Sequence, residues 1–220
     1  MWRPCSMRVN SEICFICNTP GADSRDHVIP RGLLVPPFPD NLLTLPAHHR
    51  CHNQLDEEYF RIIVAGLGLE KSTSAHVLWE DTISRSIHRS RPLWGAIRSA
   101  LVPRINLLFP GGIWMETVPG LNIDRDRFYP TLGKIVRGLY HHHTGRYLPM
   151  DAAFDWAINE PPDGGRLNIF QSSNLSISYR GIFNCRYAIA SDDTMEMTIW
   201  WLRFYRGLIM RCLTRSSYGR

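Results

Sequence analysis

Lysine is scarce in this chain of 220 residues, because Lys71 and Lys134 are the only lysines among 25 basic side chains. Arginine therefore carries almost all of the positive charge, and the formal net charge is +5. A basic surface suits a polyanionic partner, since the planar guanidinium can bond two phosphate oxygens at once. A GC-rich genome produces the same arginine bias, so charge alone does not select a nucleic-acid-binding function.

Long hydrophobic runs are also absent. The longest run, residues 62–69, is far shorter than the roughly 20 apolar residues that span a bilayer. The first residues, MWRPCSMRVNSEIC, have neither the apolar centre nor the small-residue cleavage site of a secretory signal. We therefore expect a cytoplasmic protein that does not enter a membrane.

Cysteine is sparse, with six residues in the whole chain, and this density is not that of a disulfide-stapled secreted domain. The composition, 44% hydrophobic and 20% charged, is that of a globular protein that can bury a sizeable core. Three of the six cysteines, however, lie between residues 14 and 51. This clustering indicates that the N-terminal region has a special chemistry.

Hydrophobic periodicity divides the chain into three segments, residues 12–70, 71–123 and 124–220. The first segment is dense in Cys, His, Asp and Asn and closes on a helical pattern that begins near Asn53. The second has helical spacing and then a stretch rich in Pro and Gly, residues 103–124, which indicates a connector.

The third segment changes from a helical to a strand-like period. A helix is predicted to begin after Asp124 or Asp126 and to end at Gly145. Beyond the loop at residues 160–166, three strands joined by tight turns are predicted over residues 182–213. We therefore expect an α+β protein whose C-terminal half is a helix on an antiparallel β-meander, with no assigned role other than as a candidate homodimer surface.

The first segment carries two pairs of metal-binding side chains at the same spacing, Cys14-x-x-Cys17 and His48-x-x-Cys51. A Cys-x-x-Cys knuckle points two thiolates at one tetrahedral ion, and a second pair completes the four ligands. His49 is an alternative to His48, but the repeated two-residue gap favours His48. Four protein ligands leave no open position, so the sequence predicts a structural Zn²⁺ that clamps this segment.

Between the two pairs, the pattern predicts a strand, a loop, a strand and then a helix. Asp26-His27 leads into a short strand that Pro30 ends, and residues 41–45 form the second strand. This order is the ββα-metal arrangement. In it, His27 would face His52 across a shallow cleft.

The same segment resembles the HNH branch of the His-Me finger endonucleases, and in particular the bacterial group with flanking zinc knuckles. The resemblance rests on residues 26–30 (DHVIP), 41–42 (NL) and 48–52 (HHRCH), which follow the family's order and spacing over about a quarter of the chain. The family has cysteine where His48 stands. This departure concerns the zinc ligands and leaves the catalytic positions intact.

The resemblance implies a divalent-metal-dependent endonuclease that hydrolyses DNA, most of all double-stranded DNA. His27 would be the general base, because a neutral imidazole accepts a proton near pH 7. Asp26 and His52 would hold one divalent ion, Mg²⁺ or Mn²⁺, on the phosphate and the leaving oxygen. Asn41 would brace the loop between the strands and orient His27, and Asn53 is a weaker candidate ligand.

Three arginines within the same segment, Arg25, Arg31 and Arg50, are the expected phosphate contacts. Two other functions remain open. The zinc-stapled segment could bind nucleic acid without cutting it. It could also cleave RNA, because such a site grips a phosphate and not a base.

Overall fold

A pair of short antiparallel strands opens the described part of the chain. The computed structural model describes residues 12–52, 54–108, 114–158 and 173–217. The strands β1 (Ser24–His27) and β2 (Thr44–Ala47) are followed by the helix α1 (Gln54–Gly68). His27 lies opposite Thr44 in the strand pair. The predicted order of strand, strand and helix is therefore present.

Both strands are displaced from their predicted bounds by a few residues. β1 ends at His27 instead of running on, because the next residues, Val28 and Ile29, are both buried and turn into the core. Burial of consecutive residues is not the alternation of a strand with one exposed face. Asn41 lies in the turn before β2, which begins only at Thr44.

A helical layer follows α1. Its helices are α2 (Thr73–Leu78), α3 (Ser84–Arg89) and α4 (Arg91–Ala100). A π-helical stretch, Trp79–Ile83, joins α2 to α3 without a break. The hydroxyls of Ser72 and Ser90 cap α2 and α4 by accepting hydrogen bonds from backbone N–H groups of the first turn.

The predicted connector at residues 103–124 is instead largely a β-hairpin. β3 (Leu101–Leu108) pairs antiparallel with β4 (Trp114–Leu121), and residues 109–113 lie outside the described residues. The richness of this stretch in Pro and Gly led to the wrong prediction, because both residues disfavour a strand and proline, as at Pro103, cannot donate to a strand ladder. A two-stranded hairpin tolerates it, since each strand has a free edge, and the register shifts across Pro103.

The helix of the third segment agrees with its predicted ends. α5 (Arg125–Thr144) begins at Asp124, whose carboxylate accepts hydrogen bonds from two backbone N–H groups of the first turn. It ends at Gly145, which has a left-handed φ of 68°. Neither α5 nor another helix in the described ranges is long and apolar enough to cross a membrane.

An antiparallel five-stranded sheet, in the order β5-β9-β8-β7-β6, accompanies α5. Its strands are β5 (Ala153–Ile158), β6 (Asn174–Tyr179), β7 (Phe183–Ser191), β8 (Met195–Phe204) and β9 (Leu208–Ser217). The predicted three-stranded meander is present as β7, β8 and β9. The sequence pattern missed β5 and β6, which form the two edges.

Apolar side chains from all three segments belong to the same core. The ring of Phe60 on α1 lies 4.8 Å from that of Phe128 on α5 and 5.7 Å from that of Phe204 on β8. The buried Tyr205 hydroxyl donates to the carbonyl of Leu33, in the loop between β1 and β2, at 2.6 Å. The three-segment division stays a prediction, but the N-terminal strands are held by partners from the C-terminal half.

Two glycines inside α5 offer a matched test of this packing. A Cβ at Gly138 would lie 2.6 Å from both methyl carbons of Val28, whereas a Cβ at Gly133 would meet nothing within 4 Å. We expect Gly138→Ala to lower the free energy of unfolding by about 1–3 kcal/mol through overpacking. Gly133→Ala should raise it by about 0.5–1 kcal/mol through helix propensity. Urea unfolding measures both, and equal effects would contradict the close approach of α5 to Val28.

Candidate active site and metal centre

Three thiols and one imidazole converge in the N-terminal segment. The ligand atoms of Cys14, Cys17, His48 and Cys51 all lie within 4.8 Å of one another. A tetrahedral site with Zn–S bonds of about 2.3 Å has ligand–ligand edges of about 3.8 Å. The structure therefore brings together the four residues predicted from spacing, and the cluster can hold a zinc ion with little adjustment.

Each pair of ligands sits on a tight turn. Asn18, with a φ of 56°, closes the first turn, and its N–H donates to the carbonyl of Cys14 at 2.8 Å. In the second turn the N–H of Cys51 donates to the carbonyl of His48 at 2.9 Å. The N–H of His48 also points at the sulfur of Cys14 at 3.4 Å. These local bonds explain why a two-residue gap aims both side chains at one point.

Of the two adjacent histidines, His48 belongs to the cluster. Its Nδ1 lies 3.3 Å from Sγ of Cys17 and 3.7 Å from Sγ of Cys51. Its Nε2 lies 3.2 Å from the carbonyl of Pro20, an acceptor that favours the tautomer with the proton on Nε2. Nδ1 is then free for a metal, with the support that ligand histidines usually have. His49 is exposed and lies outside the cluster.

Two thiols of the cluster, Cys17 and Cys51, have pKa values that are shifted in opposite directions. Burial and the neighbouring sulfur atoms raise the pKa of Cys51 to about 12. Burial also acts to raise the pKa of Cys17, but hydrogen bonds from Thr19 and the other thiols outweigh it and lower the pKa to about 6. Adjacent thiolates repel one another unless a cation lies between them. Metal binding and the folding of these turns are therefore expected to be coupled.

A second group of polar side chains lies at the end of β1. Asp26 is buried, and its Oδ2 lies 3.8 Å from Nδ1 of His52. The Ser24 hydroxyl donates to the carbonyl of Ala47 at 2.8 Å, so it accepts from Nε2–H of His52 at 3.3 Å. In the neutral ring, the lone pair of Nδ1 then faces the Asp26 carboxylate. The sequence motifs did not single out Ser24.

A lysine completes this group. Lys134 on α5 forms ion pairs with Oδ2 of Asp26 and with Oε1 of Glu57 on α1. Lys134 is 6% exposed and Asp26 is 8% exposed, so both charges are largely shielded from water. Despite the ion pair, Oδ2 of Asp26 accepts no hydrogen bond from the described residues. The one signal for Lys134 in the sequence was a rare lysine within the apolar stripe of a predicted helix.

His27, the last residue of β1, is partly buried next to this group. Burial is the largest influence on its pKa and lowers it. The charge of Asp26 opposes this shift, while those of Arg31 and Lys134 reinforce it. The result is an imidazole with a pKa below its ordinary value, and a neutral imidazole can accept a proton near pH 7.

The structure does not bring Asn41 into the group. Its side chain is exposed and hydrogen bonds no described residue. The loop is held instead through Leu43, whose N–H donates to the Tyr179 hydroxyl at 3.2 Å and whose carbonyl accepts from the N–H of Val28 at 3.0 Å. Asn53 lies outside the described residues.

The three arginines predicted to contact phosphate are all exposed. Arg25 donates from Nη2 to the carbonyl of Thr44 at 2.8 Å. The Arg31 guanidinium lies over the ring of Phe38, 4.5 Å from its centroid. Arg50, on the turn between two zinc-cluster residues, makes no ion pair with a described residue. Each guanidinium is therefore accessible from solvent.

Comparison of the chain with known protein families, with curated proteins and with solved structures finds no match in any of the three. The similarity to HNH endonucleases in residues 26–30, 41–42 and 48–52 therefore stays a prediction. Any function assigned to the site has to be argued from its own residues.

Removal of one thiol is expected to remove both the metal and the fold around it. Protein purified without added metal should contain one zinc per chain, and Cys51→Ala should lose the zinc and N-terminal structure because binding energy there is folding energy. Cys185→Ala, at a buried thiol outside the cluster, is the matched control and should keep its zinc. Elemental analysis and circular dichroism measure both. Wild-type protein that is folded and free of zinc would contradict the assignment.

Proposed function

We propose that this protein is a metal-dependent endonuclease of the HNH type, in which β1, β2 and α1 form the ββα-metal arrangement. The observation that carries the proposal is the Nδ1 atom of His52, which faces Oδ2 of Asp26 at 3.8 Å, with His27 next to Asp26 on β1. This set contains two ligands for a divalent ion and one base, which are the groups that phosphodiester hydrolysis needs.

A divalent cation suits the space between Asp26 and His52. A carboxylate oxygen and an imidazole lone pair repel each other unless a cation or proton lies between them, and Ser24 supports the tautomer that leaves Nδ1 free. Two ligand bonds of about 2.1 Å can span the separation. The carboxylate favours Mg²⁺ or Mn²⁺, and the imidazole shifts the preference towards Mn²⁺.

The chain's own residues then divide the chemistry. His27 takes a proton from the water whose oxygen attacks the phosphorus atom. Asp26 and His52 would hold the divalent ion, which would supply the positive charge that the phosphate and the leaving oxygen need as the bond between them breaks. Ser24 orients the His52 ring. Because His52 directly follows Cys51, a zinc ion bound by the cysteine cluster would also fix the backbone position of His52.

The proposed substrate is DNA, and in particular double-stranded DNA. The exposed side chains of Arg25, Arg31 and Arg50 would position the phosphate backbone without reading its sequence. The same contacts suit RNA, so RNA cleavage is the alternative activity. A zinc-stapled module that binds nucleic acid without cutting it gives no role to the approach of His52 to the buried Asp26 carboxylate at 3.8 Å. Homodimerisation through the C-terminal half stays an expectation from the sequence.

Substitution of the base and of a ligand should have different effects. We expect His27→Ala to lower the cleavage rate by about 10²–10⁴-fold, the usual loss for acid–base catalysis. Zinc content and DNA binding should persist, because His27 holds neither. His52→Ala weakens the divalent site, so raised Mn²⁺ should restore part of its activity and should restore none to His27→Ala. Plasmid nicking in Mg²⁺, Mn²⁺ and EDTA measures these effects.

His76→Ala, at an exposed histidine on α2, is the matched control and should cut at the wild-type rate. A His27→Ala protein that also cuts at the wild-type rate would refute the assignment of the base. Digestion of plasmid, single-stranded DNA and RNA by the wild-type protein separates the two nuclease activities. Tight binding with no cleavage of any of the three would support the non-catalytic alternative.

A further inference from the structure

Lys134 places a positive charge on the buried face of α5. Its neighbours on the helix include the buried residues Leu132 and Ile135, and its own side chain is buried. Arg137, one turn later, is also buried but donates to backbone carbonyls, among them that of Leu148 at 2.7 Å. A buried ammonium is stable only beside opposite charge. For Lys134, that charge comes from two carboxylates of the proposed active site.

The two carboxylates and one ammonium leave this group with one negative charge in excess. Nζ of Lys134 contacts Oδ2 of Asp26 and Oε1 of Glu57. The same Oδ2 atom is faced by Nδ1 of His52 at 3.8 Å. The Lys134 ammonium and a divalent ion on Asp26 and His52 would therefore both interact with Oδ2 of Asp26.

We propose that Lys134 is a positioning residue that shares Asp26 with the divalent ion and limits how tightly the ion binds. The inference rests on the proposed function, because the divalent ion belongs to it. Before the ion arrives, the ammonium neutralises Asp26 and holds it in place. Once the ion is bound, the two cations repel each other across a few ångströms of partly desolvated protein.

Glu57 gives the ammonium a second partner. When the ion takes up the charge of Asp26, Lys134 keeps its ion pair with Glu57 and stays buried without being left unpaired. The group can thus exist with or without the divalent ion, unlike the zinc cluster, where adjacent thiolates need the metal. The affinity of the site for the divalent ion therefore depends on competition with the Lys134 ammonium for Asp26, and not on the ligands alone.

Mn²⁺ binding to the zinc-loaded full-length chain tests this proposal, with the loss of the free Mn²⁺ signal in electron paramagnetic resonance as the readout. Lys134→Met keeps the apolar stem and removes the charge. The double variant Lys134→Met with Glu57→Gln removes one charge of each sign and keeps the net charge of the group. We expect both to bind Mn²⁺ at least roughly tenfold more tightly than the wild type, because the competing cation is gone.

Two further variants act as controls. Glu57→Gln alone leaves the ammonium on Asp26 and should bind Mn²⁺ more weakly than the wild type. His52→Ala in the Lys134→Met background should abolish the gain, because the ion is then short of one ligand. The proposal is wrong if the double variant binds Mn²⁺ no more tightly than the wild type, or if the gain survives His52→Ala.

Thermal unfolding keeps the test decisive where a variant is unstable. A ligand that binds only the folded state raises the free energy of unfolding by RT ln(1 + [L]/Kd), and the melting temperature rises with it. Mn²⁺ should therefore raise the melting temperature of the double variant more than that of the wild type. A double variant that does not fold even in Mn²⁺ would make Lys134 a structural support and overturn the proposal.

Neither readout requires cleavage, so this inference and the nuclease proposal can fail separately. If the wild type cuts plasmid DNA while the variants keep wild-type Mn²⁺ affinity, the nuclease assignment stands and the role of Lys134 falls. If no nucleic acid is cut but the double variant gains affinity through His52, the shared ion site stands without the nuclease. A wild type and variants that bind no Mn²⁺ would overturn both.

Discussion

Closure of the N-terminal loop by four metal-binding side chains is the constraint on which the site depends. Cys14 and Cys17 precede β1, while His48 and Cys51 follow β2, so one ion shared by the four would tie together both ends of the strand pair. Each strand has four residues, which is too little pairing to be stable by itself. The position of His52, one residue beyond the second turn, follows from the same closure.

Burial by the C-terminal half changes the electrostatics of this small unit. The approach of α5 shields Asp26 from water and supplies Lys134. Desolvation lowers the pKa of His27, while it makes an unpaired Asp26 charge costly. The same physical change therefore favours the neutral form of His27 and requires a cation beside the Asp26 carboxylate.

The ligand pairs and helix caps were predictable from the sequence, whereas the contacts between distant helices and strands were not. Each pair of metal-binding residues and the cap at Asp124 depend on residues a few positions apart, and the repeated two-residue gap indicates that the two pairs belong together. The pairing of Asp26 with Lys134 depends on how α5 docks, which no local pattern records. The Pro- and Gly-rich residues 103–124 were mispredicted as a connector, because a hairpin with free edges tolerates residues, such as Pro103, that disfavour a strand.

Two tyrosines near the end of the chain hold the loop between β1 and β2. Tyr179 accepts from the N–H of Leu43, and Tyr205 donates to the carbonyl of Leu33. During synthesis the metal-binding turns leave the ribosome long before either tyrosine or Lys134. A nascent or truncated chain can thus carry every residue of the HNH-like motif and still lack the groups that hold the loop and neutralise Asp26. Docking of the C-terminal half, and not synthesis of the motif alone, is the step at which this site acquires its final form.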